Sequence, residues 1–172
     1  MPLEWRQPGG LTYSKGFRLK HVSTFAGLSE YDMKLLEPLF EQYSCPAGTR
    51  VIEQGAPVDY LYLVLGGKAE ISFKPYDGHP MTIAHVEVGG LFGWSAVLGS
   101  EKYTSTIVAI EDLEAVRIHG NELRKLCMDH PEAGAAILEH LASTVSSRWK
   151  NAHEQVKSII LGGIKNGSEK NY

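Results

Sequence analysis

"CPAGTRVIEQGAPVDYLYLVLGGKAEI", Cys45 to Ile71, alternates turn-formers with short β-rich runs. Pro46-Ala47-Gly48, Gly55-Ala56-Pro57 and Gly66-Gly67 divide it. Glycine supplies the positive φ of tight turns, and proline withholds a ladder donor. Between them, "TRVIE", "YLYLVL" and "KAEI" carry the Val, Ile, Leu and Tyr that suit a pleated, half-buried surface. Downstream, Ala69, Ile71 and Phe73 alternate with Glu70, Ser72 and Lys74, the period-two pattern of a strand with one buried face. "MTIAHV", "STIVAI" and "LEAVRI" continue the texture to Ile118, and Asp77-Gly78 is a hairpin signal. Six or more short strands at this spacing predict a sandwich or barrel. No helix-length crossover interrupts them, which argues against a parallel sheet.

The flanks differ. Residues 1–24 lack periodicity and read as a loose N-terminal arm. In "LSEYDMKLLEPLFEQY", Ser29 is a good N-cap and Asp32 completes a capping-box pattern. Leu35, Leu36, Leu39 and Phe40 share a helical face, and Pro38 should stop or kink the helix near Leu36. "GNELRKLCMDH" reads as a short helix capped by Asn121. Pro131 then opens a run to the Gly162-Gly163 stop, predicting a long helix over 131–161 and a tail over 162–172. Leu138, Leu141, Val145, Trp149, Ala152 and Val156 recur at steps of three and four along it, close to a heptad seam. At 1.5 Å per residue such a helix is about 45 Å long and outruns a small β-barrel. A second copy of the chain is the simplest cover for its far half, so a homodimer is expected.

The chain has 172 residues, 43% hydrophobic and 22% charged, which suits one globular domain with a core. Its net charge of −3 offers no basic field for nucleic acid. The N-terminus lacks an apolar signal-peptide core, and no run approaches the ~20 apolar residues of a membrane span. Cys45 and Cys127 share no metal spacing and read as reduced thiols, which places the protein in the cytoplasm, away from membranes.

The order of helix, short strands, Gly-rich turn, final strands, short helix and long helix resembles the cyclic-nucleotide-binding domain of the catabolite-activator and Fnr-type regulators. The likeness spans about residues 25–160. Pro46, Gly48, Gly55, Tyr62 and Gly67 fall on that family's Pro-x-Gly and Gly–Tyr–Gly positions, and "VGGLFGWSAVLGSEKYTSTIVA" is similar to its phosphate-binding cassette. Arg148 sits where the family's long helix often carries Arg-Leu. The resemblance implies a mainly β domain with flanking helices, a jelly-roll, cupin-like β-roll over 25–130 followed by the long helix. It implies a regulatory role, with a cyclic nucleotide or another small molecule as effector.

In that family a glutamate after the Phe-Gly pair binds the ribose hydroxyl, and an arginine after the cassette helix neutralises the phosphate. Here Phe92-Gly93 is followed by Trp94, and spacing to Ser105-Thr106 puts Thr104 at the arginine position. Losing both contacts costs roughly 3–5 kcal/mol, some two to four decades of affinity, so tight cyclic AMP binding is not expected. Gly90, Gly93 and the turn before Ser95 and Ala96 suit an anion nest. Trp94 either packs shut a vestigial pocket or walls a different ligand. Lys102 is either a substitute cation or a solvated loop lysine. Ser95, Tyr103, Thr104, Ser105 and Thr106 offer hydroxyls to a weakly charged or neutral ligand. Ala152 and His153, where the base would lie, do not reproduce the family's small hydroxyl contacts.

No His-x-His pair supports a cupin metal site and no Gly-x-Ser-x-Gly elbow supports a hydrolase, so neither a metal nor an enzyme is expected. A helix-turn-helix needs about 60 residues after the long helix, and "GGIKNGSEKNY" is all that follows Leu161. The expectation is a sensor domain that does not bind DNA by itself. The competing expectation is a protein-interaction scaffold acting through an unknown partner.

Overall fold

The computed structural model describes residues 25–144, together with the backbone of Glu4–Arg6 (β1) and Thr12–Ser14 (β2). β1 and β2 pair antiparallel, Trp5 opposite Tyr13. The arm thus carries a ladder where its sequence reads as aperiodic, because three-residue strands are too short to show a period.

Helix α1, Glu30–Leu36, begins on Ser29, whose hydroxyl accepts from the Asp32 amide, and ends just ahead of Pro38 in a 3₁₀ turn over Glu37–Leu39. The strands follow as β3 (Phe40–Cys45), β4 (Arg50–Ile52), β5 (Tyr60–Gly66), β6 (Ala69–Phe73), β7 (Met81–Val86) and β8 (Leu91–Phe92). A four-residue helix α2 (Ser95–Leu98) precedes β9 (Thr106–Ala109) and β10 (Leu113–His119). Helix α3, Gly120–Asp129, leads to helix α4, residues 131–144. β3 was not foreseen: Phe40 belongs to a strand paired with β10, not to the face of α1. Nor does Asn121 cap α3. The His119 ring accepts from the Asn121 amide and caps it instead.

Two four-stranded antiparallel sheets form, in the orders β3-β10-β5-β8 and β4-β9-β6-β7. β5 explains how they stack. Leu61, Leu63 and Leu65 face the helices with Leu36, Leu123, Ile137 and Leu141, while Tyr62 and Val64 face the second sheet with Ile52, Ile71 and Ile107. A strand buried on both faces reads as a continuous apolar run, which is why "YLYLVL" has no alternation. The domain is therefore mainly β, a two-sheet roll with helices on one face.

Leu141 is 1% exposed within the single chain, buried with Ala133 and Ile137, and Leu138 packs against the same cluster. The beginning of the expected seam is thus core of this chain, because four-residue steps turn that face onto the roll. Val145, Trp149, Ala152, His153 and Val156 lie outside the described residues.

Candidate functional site

The inter-sheet core is incompletely filled. A cavity of about 240 Å³ opens between the sheets at the cassette. Ile52, Ile71, Leu91, Phe92 and Ile107 form its apolar walls; Gly93, Trp94, Ser95, Leu98 and Ser100 line it from the cassette, and Tyr103, Thr104 and Ser105 from the loop before β9.

The main chain holds this shape. β8 pairs with β5, Phe92 opposite Tyr62, and the two rings stack with centroids 4.7 Å apart. Gly93 has φ +82°, and a Cβ there would stand 2.7 Å from the Tyr60 carbonyl oxygen, so only glycine fits the turn into α2. Tyr103 anchors the opposite wall. Its amide donates to the Ala56 carbonyl at 2.9 Å and its carbonyl accepts from Gly55 at 2.8 Å. Its hydroxyl donates to the Tyr60 carbonyl at 2.7 Å and accepts from the Tyr60 amide at 2.9 Å, with the Asp59 carboxylate 3.0 Å away. Burial pushes that phenol's pKa far above the usual tyrosine range, so it stays neutral.

The sequence-derived residues divide accordingly. Phe92, Gly93, Trp94, Ser95, Tyr103, Thr104 and Ser105 surround one cavity. Gly90, Ala96, Lys102 and Thr106 are not among its lining residues. The Gly90 carbonyl accepts from the Val64 amide at 2.9 Å. Ala96 is 1% exposed behind α2, and its carbonyl accepts from Arg124 at 2.5 Å. Lys102 is exposed, in a backbone bridge to Pro57, and Thr106 accepts from the Gln54 amide at 3.1 Å. The amides of Ala96 and Val97 donate to Gly93 and Trp94 carbonyls at 3.0 and 2.9 Å. They are spent inside the turn and unavailable to an anion. Trp94 is half-buried, packed on the helix-side core while lining the cavity.

The cyclic nucleotide-binding domain profile matches residues 43–130. The chain belongs to that family. This cyclic nucleotide-binding domain is 26% identical over 146 residues to a CRP-like cAMP-activated global transcriptional regulator of Mycobacterium tuberculosis, covering 85% of this chain and 65% of that one. It spans slightly less than two thirds of that relative's length. The Thermus thermophilus catabolite activator protein matches at 25% identity with a TM-score of 0.64, over 79% of this chain and 62% of that one. The regulatory subunit of a cAMP-independent protein kinase A from Trypanosoma cruzi, bound to guanosine, shares the fold at 16% identity, with a TM-score of 0.65 over 86% of this chain and 48% of that one.

Sequence reading of this cyclic nucleotide-binding domain missed Ile52, Ile71, Leu91, Leu98, Ser100 and Ile107. The isoleucines reach the cavity from three different strands, a placement only sheet register reveals. Leu98 and Ser100 stood inside the quoted cassette without any feature to single them out. Among the described residues, no group of three or more His, Cys, Asp or Glu side chains is placed to hold a metal, and no helix is long and apolar enough to cross a membrane.

Proposed function

We propose that this cyclic nucleotide-binding domain is a regulatory, non-catalytic module that senses a small molecule in the cavity beside Trp94 and binds cyclic AMP weakly. One observation carries the reading: the two ends of the cassette, Gly93–Ser95 and Tyr103–Ser105, meet around a single cavity. Thr104 and Trp94, which occupy the positions where the family resemblance implies arginine and glutamate, both line it. Neither side chain supplies the charge or the acceptor expected there. A weak cyclic AMP site follows, with the cavity left for another occupant. Support for other occupants of this fold comes from the guanosine-bound kinase subunit of Trypanosoma cruzi.

The working unit in this reading is a homodimer. Since Leu138 and Leu141 serve the roll, the pairing surface is the remaining stripe, Val145, Trp149, Ala152 and Val156. Helix α4, whose described part ends at residue 144, begins directly after α3 and leads toward that stripe, so in this reading a change at the cavity has a short route to the partner.

A thermal-shift screen with cyclic mononucleotides, cyclic dinucleotides and nucleosides, combined with native mass spectrometry, tests the proposal. A ligand at about 100 times its Kd should raise Tm by roughly 5–10 °C. No shift with any compound and no co-purified mass would reject the sensor reading in favour of an interaction scaffold.

A further inference from the structure

We infer that the cavity takes an uncharged molecule of the nucleoside class, a flat ring system bearing hydroxyl groups, in preference to an anionic nucleotide. This rests on the reading of the cavity as a ligand site.

The first observation is a pair of serines. Ser95 and Ser105 are the buried polar residues among the described residues, 8% and 7% exposed, and both line the cavity. Neither hydroxyl has a hydrogen-bond partner among the described residues. Neither oxygen is among the fully buried side-chain atoms that lack a partner, so each keeps surface open to the cavity, where a ligand can take the place of water. A hydroxyl both donates and accepts. Two of them lining one space therefore suit a ligand with hydroxyl groups of its own, and Ser100 and Thr104 add further hydroxyls at the same cavity.

The second observation is the rest of the lining. Ile52, Ile71, Leu91 and Ile107 are aliphatic, and Phe92 and Trp94 are aromatic. Such walls favour a flat ring through burial and stacking. At about 240 Å³ the space falls below the roughly 300–1,000 Å³ of pockets for drug-sized ligands. It therefore suits a small molecule.

The third observation is where the cations are. Among the described residues no lysine or arginine lines the cavity. Arg124 lies behind α2, donating to the Ala96 carbonyl and to Asn121. Arg50 pairs with Glu53, Lys68 with Glu87 and Arg117 with Glu41. A phosphate entering these walls would shed water without gaining a counter-charge, whereas an uncharged ligand avoids that cost.

The test is calorimetric titration with adenosine and guanosine and with their 3′,5′-cyclic monophosphates, at low and high salt. The expected result is that at least one nucleoside binds about tenfold or more tightly than its cyclic monophosphate. Its affinity should also be insensitive to salt, as befits an uncharged ligand. Ser95→Ala and Ser105→Ala should each weaken nucleoside binding by about 2- to 10-fold, the worth of one neutral hydrogen bond, with an unchanged circular-dichroism melt showing that the fold is intact. Tighter binding of a cyclic monophosphate would overturn this inference and leave the sensor reading standing. So would failure of both nucleosides while an unrelated compound co-purifies. Failure of every probe, with nothing co-purifying, would overturn both. Full nucleoside affinity in both serine variants would overturn the assignment of the serines.

Discussion

The Arg124 side chain of α3 donates to the main-chain carbonyl of Ala96 in α2 at 2.5 Å, tying the back of the cassette to the helix that leads toward the C-terminus. Gly120 makes the approach available, since a Cβ there would stand 2.5 Å from the same Ala96 oxygen. One hydrogen bond and one close backbone approach converge on the Ala96 carbonyl, so α2 is not expected to move without α3. Gly120→Ala should separate the helices and cost about 1–3 kcal/mol by overpacking. Arg124→Met should cost about 1.5–3 kcal/mol, the range for a hydrogen bond to a charged group. Urea denaturation of each variant gives both numbers, and Arg124→Met should also reduce any ligand-induced change in oligomeric state.

Tyr103→Phe removes the hydroxyl that bridges to the Tyr60 main chain and the Asp59 carboxylate. The ring still fills its place, so the loss is one of polar contacts, about 1–3 kcal/mol. Hydrogen exchange should show faster opening of 100–106 than of β5, because β5 is laddered on both edges, to β10 and β8.

Alkaline pH should destabilise the fold. Burial, assisted by neighbouring Cys45, pushes the Tyr43 phenol up to about 12, against the opposing pull of Arg117. Burial also raises Tyr62. The folded pKa values exceed that of the unfolded chain, about 10, so folding favours the protonated phenols. Their contribution is whole below pH ~10 and is lost as the pH climbs through the folded values. The denaturation midpoint should fall between pH ~10 and ~12, and Tyr43→Phe should flatten that fall.

Much of this architecture is legible in the sequence. Ala69 and Ile71 alternate into the core as strand residues must, Ser29 caps α1, and Pro38 limits it. β3 was hidden because Phe40 continues the helical spacing of Leu35, Leu36 and Leu39 into a mixed-polarity strand. The cap of α3 was hidden because histidine is an unusual acceptor there. At the site, the cassette loop is recognisable as a contiguous segment, but its aliphatic walls are assembled by register across both sheets. Of the expected seam, Leu138 and Leu141 pack against the roll of their own chain. Heptad spacing does not distinguish a face that meets its own roll from one that meets a partner.

Charge in the remaining stripe should separate the protomers. Val145→Glu would set two like charges near each other across a two-fold axis, costing several kcal/mol of association. Light scattering at about 100 μM should report a dimer for the unmodified protein and a monomer for the variant, with circular dichroism unchanged. A monomeric unmodified protein would remove the dimer from the account.

Restoring the family's charge pattern should restore cyclic nucleotide binding. Thr104→Arg supplies a cation at the cavity, and Trp94→Glu supplies an acceptor for a ribose hydroxyl. Together they should strengthen cyclic AMP binding by about two to four decades, the roughly 3–5 kcal/mol assigned to the missing pair. Thr104→Arg alone should make that binding salt-sensitive, which titration at two ionic strengths will show.

The most direct measurement is calorimetric titration of the unmodified chain with cyclic AMP at physiological salt. A dissociation constant above about 10 μM, equivalent to a binding free energy weaker than roughly −7 kcal/mol, is the predicted result for a cavity walled by Trp94 and Thr104. A constant below that value would contradict the account.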